Sequence, residues 1–245
     1  MNAKGKITKA RAGLILDLPF FGSLALRLEV VEDATCETAW TDGRRMGYNP
    51  GFIDSLPLAE VKGLICHEVM HCAAAHQARR GDRDHRKWNM AGDYAINQII
   101  EDCKIPLPEG KLLDPAYTGM SAEAIYSKLP AHPPTPSKGG EMSPAGGGAG
   151  GGNSPLEGAG GGNPPAEKGN QPGGTDPGRC GEVRDAENPQ SATGNQQSEQ
   201  DWKIAVAQAA QEARMQGQLP ASIARMVADV LEPKADWREI LRRFV

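Results

Sequence analysis

Two histidines four residues apart, with a glutamate directly after the first, form the run His67-Glu68-Val69-Met70-His71. On a helix that spacing puts both imidazoles on one face, one turn apart, within reach of a single metal ion. Zinc suits two imidazoles. Glu68, beside the pair, is placed to take a proton from a metal-bound water whose pKa the cation lowers towards about 7. The chemistry this pattern supports is hydrolytic, with Glu68 as general base.

A catalytic zinc wants a third protein ligand and one open position. His76 follows His71 by five residues, which on a continuous helix turns it away from the pair. It also misses the longer HExxHxxGxxH spacing, because position 74 is Ala and position 77 is Gln. His85 in a polar loop and His132 near a Gly/Pro-rich stretch are further candidates. Asp93 is the better one, since a second helix folded back on the first would bring its carboxylate to the metal. Asn89, Asp93 and Asn97 recur at four-residue steps, so they share one helical face, which reads equally well as a solvated polar stripe. Gly92 favours the buried reading, because a glycine inside a helix costs about 1 kcal/mol against Ala and often marks close packing.

The elements that must position these groups follow from the surrounding pattern. Residues 5–17 read as a helix, and the run from Leu24 to Val31 alternates at the two-residue period of a strand. Asp42-Gly43 between short strand-like runs at 38–41 and 45–48 signals a hairpin. A long helix is expected from about Ser55, with Pro57 in its first turn, to the Arg79-Arg80-Gly81 stop, carrying the histidine pair at its middle. Leu64, Ile65, Val69 and Met70 surround the motif, as a buried site requires. A second helix is expected from Arg86 to Cys103 and a short one from Ser121 to Leu129.

Most of the thirty glycines and nineteen prolines crowd between residues 131 and 198, where large apolar residues are almost absent. Such a stretch cannot offset the entropy of ordering itself, so it reads as a disordered linker. Helices resume at 201–216, 219–231 and 233–245, too little for a second core. The expected organisation is a folded domain over 1–130, a linker over 131–198 and a helical segment over 199–245.

A net charge of −4 provides no basic surface for nucleic acid. No segment approaches the roughly 20 apolar residues of a membrane span, and Asp17 and Pro19 interrupt the apolar run that follows the basic N-terminus. A cytoplasmic location is the expectation. Five cysteines with no CxxC pair argue against a disulfide framework and against a cysteine-ligated structural zinc.

The chain resembles a bacterial family of metallopeptidase-like proteins in which an HExxH domain is joined by a variable linker to a von Willebrand factor A-like domain. The stretches that carry the resemblance are Lys9-Ala10-Arg11, Pro19-Phe20-Phe21-Gly22, Thr41-Asp42-Gly43, Tyr48-Asn49-Pro50, HEVMHCA from His67, WNMAGDYAIN from Trp88, LPEGKLLD from Leu107 and GMSAEAIY from Gly119. The tail LEPKADWREILRRFV is similar to the family's segment just before the von Willebrand factor A-like domain, which is absent from this sequence. The resemblance implies an α+β, zincin-like fold, a small sheet with an HExxH helix and a helix packed back on it. It implies one zinc held by His67, His71 and Asp93, with Glu68 as base. The first functional expectation is a zinc endopeptidase acting on a peptide or protein substrate, in which an extended chain pairs with the edge strand of the 38–48 hairpin while zinc polarises the scissile carbonyl and Glu68 delivers the water. The competing expectation is a zinc-stabilised adaptor that works with a MoxR-type AAA ATPase without proteolysis, and a third is a non-proteolytic zinc hydrolase.

Overall fold

The computed structural model describes residues 1–131, 181–185 and 192–231. In chain order the elements are α1 (Ala3–Asp17), α2 (Pro19–Ala25), β1 (Glu29–Glu32), β2 (Ala39–Thr41), β3 (Arg45–Tyr48), α3 (Pro50–Ser55) and α4 (Leu58–Ala73). There follow α5 (His76–Arg79), α6 (His85–Asp102), a 3-10 turn (Pro115–Tyr117), α7 (Ala122–Lys128), β4 (Glu182–Val183), α8 (Ala192–Met215) and α9 (Ala221–Leu231). The chain is a mixed α+β structure, with a four-stranded sheet among the described residues in the order β1-β3-β2-β4.

Helix α4 is the centre. From Gly63 to Ala73 every residue on it is buried, so it is enclosed on all faces rather than amphipathic. Helix α1 packs its stripe Ile7, Ala10 and Leu14 against the core, and Asn2 caps it by accepting from the Gly5 N–H at 3.0 Å. Lys6 Nζ donates to the carbonyls of Ile53, Asp54 and Leu56 at 3.2, 2.7 and 2.8 Å, satisfying the C-terminal end of α3.

The alternation from Leu24 to Val31 does not become one strand. Pro19 stands in the first turn of α2, and Phe20, Phe21 and Leu24 are buried together at helical spacing. Only Glu29–Glu32 is extended, pairing in parallel with β3. The 38–48 hairpin does form. Asp42 Oδ1 accepts from the backbone N–H groups of Arg44 and Arg45 at 2.9 and 2.7 Å, and Gly43 takes φ +86°, which only glycine adopts freely.

Helix α4 ends earlier than expected. Ala75 adopts φ 53°, left-handed, which breaks the continuous helix anticipated through Arg79 and sends His76 back towards α4. One turn before His67, the backbone of Pro106 and Leu107 crosses α4 at Gly63, where a Cβ would lie 1.8 Å from the Pro106 carbonyl oxygen. Because backbone cannot step aside as a side chain does, Gly63→Ala should destabilise the fold by about 1–3 kcal/mol or more, read as a lower urea midpoint with an unchanged slope.

The expected linker over 131–198 is corrected at two places. Residues 182–183 form β4 on the outer edge of β2, and α8 begins at Ala192. These segments are ordered by distant partners that local composition does not report. Trp202, Ala205, Val206, Ala209 and Ala213 of α8 join the core cluster of α1, α2 and α4, and the Trp202 indole N–H donates to the Gly43 carbonyl at 2.9 Å. The C-terminal helices therefore share the N-terminal core. Residues 132–180 and 186–191 of the expected linker, the 233–245 helix, His132 and Cys180 lie outside the described residues.

Candidate metal centre

Helix α4 presents His67, Glu68 and His71, and α6, packed back across it, presents Asp93; all four are completely buried. His67 Nε2 and His71 Nε2 are 2.9 Å apart, and Asp93 Oδ1 lies 3.1 Å from His71 Nε2 and 3.5 Å from His67 Nε2. Four ligands at about 2.0–2.1 Å in a tetrahedron are separated by roughly 3.3 Å, so these three atoms stand close to three of its corners. The three residues form a group that could hold a metal ion.

Their outer partners orient them. His67 Nδ1 lies 2.8 Å from Asn97 Oδ1, and Asn97 Nδ2 donates to the Leu112 carbonyl at 3.0 Å. That second bond turns the amide oxygen towards the histidine, so His67 Nδ1 carries the hydrogen and Nε2 presents its lone pair to the centre. His71 Nδ1 lies 2.9 Å from His76 Nδ1, and the same tautomer on His71 makes His76 the acceptor. Burial, followed by the nearby His67, pushes the His71 pKa down to about 4, and burial likewise holds His76 well below its ordinary value. Both rings are neutral at pH 7, the form a metal requires. Burial, the largest influence, raises the Asp93 carboxyl, but the two imidazoles beside it outweigh that and hold Asp93 below the usual range, as a carboxylate. Two lone pairs and an anion thus converge, an arrangement a cation relieves. Asp93 Oδ2 has no hydrogen-bond partner among the described residues.

The Asn89, Asp93, Asn97 stripe faces inward and each member has work there. Asn97 orients His67, Asp93 joins the histidines, and Asn89 Oδ1 accepts from the Val183 N–H at 3.0 Å. Gly92 is where a side chain could not go: its Cβ would fall 2.8 Å from His76 Nδ1 and 3.2 Å from His71 Cε1. His76 is the correction. Spacing along an unbroken helix turned it away, whereas the break at Ala75 brings its ring to 5.1 Å from that of His71, between His71 and Trp88, with Trp88 Nε1 donating to the His76 carbonyl at 2.9 Å. His85 is not among the three converging residues; its Nε2 donates to the Val183 carbonyl at 2.7 Å. Sequence reasoning also missed the approach of Gly181 to Glu68, where a Cβ would sit 1.6 Å from Oε1. No local signal marks it. The buried thiols Cys66 and Cys72 are held above their ordinary pKa by burial, so both stay protonated and neither competes as a thiolate ligand.

Removing an outer-shell partner should loosen the metal without abolishing it. Asn97→Ala should lower metal affinity by roughly 10- to 100-fold, measured by competition with a chromogenic chelator.

A family model described as "Putative metallopeptidase domain" matches residues 2–245. An uncharacterized protein of Thermotoga maritima is 29% identical over 109 residues, which cover 42% of this chain and 28% of that protein. The alignment thus spans under a third of that relative's length. No solved structure matches the chain.

Proposed function

We propose that this chain, which belongs to the metallopeptidase-domain family matched along nearly its whole length, is a zinc-dependent peptidase of zincin-like fold. The observation that carries the reading is the buried convergence of His67, His71 and Asp93 with Glu68 on the same helix, next to the first ligand. Two imidazoles and a carboxylate leave the fourth tetrahedral position for water or substrate, the pattern of a catalytic rather than a structural zinc. Zinc, when bound, supplies a Lewis acid that polarises a carbonyl and acidifies water.

The chain's own groups do the remaining work. Glu68 takes the proton of the attacking water and returns it to the departing amine, a general acid–base role suited to a carboxylate sequestered from solvent. Asn97 and His76 hold the two imidazoles in the tautomer that points Nε2 inward. Burial of all four groups strengthens each charge interaction with the reacting centre. Among the described residues no helix is long and apolar enough to cross a membrane.

The test is direct. The purified chain loaded with one equivalent of zinc, incubated with casein and with a mixed peptide library, should yield fragments by mass spectrometry that vanish on chelation and return with zinc. Fragments that persist at full yield after the metal is removed would contradict the reading.

A further inference from the structure

The strand-like residues 181–185 approach the candidate centre from far along the chain and engage it in the manner of a bound peptide. Strand β4 pairs in parallel with β2, Trp40 opposite Glu182 and Thr41 opposite Val183. Its main chain is held at three points: the Arg184 N–H donates to the Thr41 carbonyl at 2.8 Å, the Val183 N–H to Asn89 Oδ1 at 3.0 Å, and the Val183 carbonyl accepts from His85 Nε2 at 2.7 Å. Such bonds accept any extended backbone, which is how an added strand gains affinity independent of sequence.

The side chains add selectivity. The Arg184 guanidinium stacks 4.4 Å over the Trp40 ring, with Nη1 3.4 Å from Asp33 Oδ2. Asp185 is ion-paired with Arg80, Nε to Oδ1 at 2.9 Å. At the other end Gly181, at φ +137°, passes so close to Glu68 that no side chain fits between them. The segment thus covers the carboxylate to which the peptidase reading assigns the base, and it takes the β2 edge of the 38–48 hairpin expected to receive substrate.

Resting on that reading, we infer that residues 181–185 fill the substrate cleft from within the chain. When this strand leaves, the cleft takes an extended peptide with a glycine against Glu68 and, three and four residues later, an arginine over Trp40 and an aspartate on Arg80. Being tethered, the internal strand competes at an effective concentration on the order of millimolar, so free peptide reaches the cleft poorly until the strand is weakened.

The probe is a fluorescein-labelled peptide of sequence Gly-Glu-Val-Arg-Asp, applied to the full chain. Val183→Pro removes the N–H given to Asn89, and Asp185→Arg sets like charges against each other at Arg80. The double variant should bind the probe at least tenfold more tightly than the parent by anisotropy, and adding Arg80→Glu should reverse the gain. In the parent, excess peptide should speed hydrogen exchange at the Arg184 amide, while a peptide of reversed sequence should not; this measurement decides the matter should the variant fail to fold. Equal binding by a folded double variant and the parent, or an Arg184 amide that stays protected under saturating peptide, would overturn the inference. Tighter binding by the double variant with no cleavage by any zinc-loaded form would uphold the cleft and refute the peptidase reading. Cleavage without tighter binding would do the reverse.

Discussion

Replacing Glu68 by glutamine is expected to leave the metal content unchanged and to reduce peptide hydrolysis by roughly 100-fold or more, the range general base catalysis supplies. Glutamine keeps the size and the hydrogen-bonding reach of glutamate and loses only its basicity. Glu68 is fully buried beneath Gly181, and a glutamine of the same shape fills the same space, so the substitution should not unfold the chain. The separation of effects is the useful part. Zinc stoichiometry and thermal stability should match the parent while turnover collapses; a Glu68→Gln protein that cleaves as fast as the parent would remove Glu68 from the chemistry.

The second large effect is expected at Asp93. Its Oδ1 faces both His67 and His71, at 3.5 and 3.1 Å. Asp93→Ala would leave the two imidazoles without their carboxylate and a void on α6, so metal affinity should fall further than the roughly 10- to 100-fold expected for an outer-shell residue. His76→Ala, which removes only the partner of His71 Nδ1, should stay within that smaller range. Chelator competition on the two variants side by side measures the contrast. Equal affinities for Asp93→Ala and the parent would place the third ligand elsewhere.

How far these groups could be read from residue order depends on whether local spacing or distant contact places them. His67 and His71 are set by the four-residue step within one helix, and α4 is unbroken between them. Asp93 was suggested by the Asn89, Asp93, Asn97 periodicity and by Gly92, and the structure brings it against the pair because α6 crosses α4 at that glycine. His76 could not be placed, since its position depends on the left-handed turn at Ala75, and nothing in Ala73-Ala74-Ala75 announces a break. The strand expected over 24–31 forms only from Glu29, because, although Leu24, Leu26 and Leu28 alternate, the helical pairing of Phe20 and Phe21 with Leu24 behind Pro19 prevails. Strand β4 was invisible for a different reason. Two residues in a Gly/Pro-rich region have no propensity to speak of, and they are extended because β2, Asn89 and His85 supply the partners.

The whole account turns on whether the buried His67, His71, Asp93 group holds zinc. Metal analysis of the purified full chain by inductively coupled plasma mass spectrometry, beside the His67→Ala/His71→Ala variant, tests this most directly. One zinc per chain is predicted in the parent and none in the double variant. A folded parent that takes up no zinc when it is supplied, or a double variant that retains the parent's full complement, would contradict it.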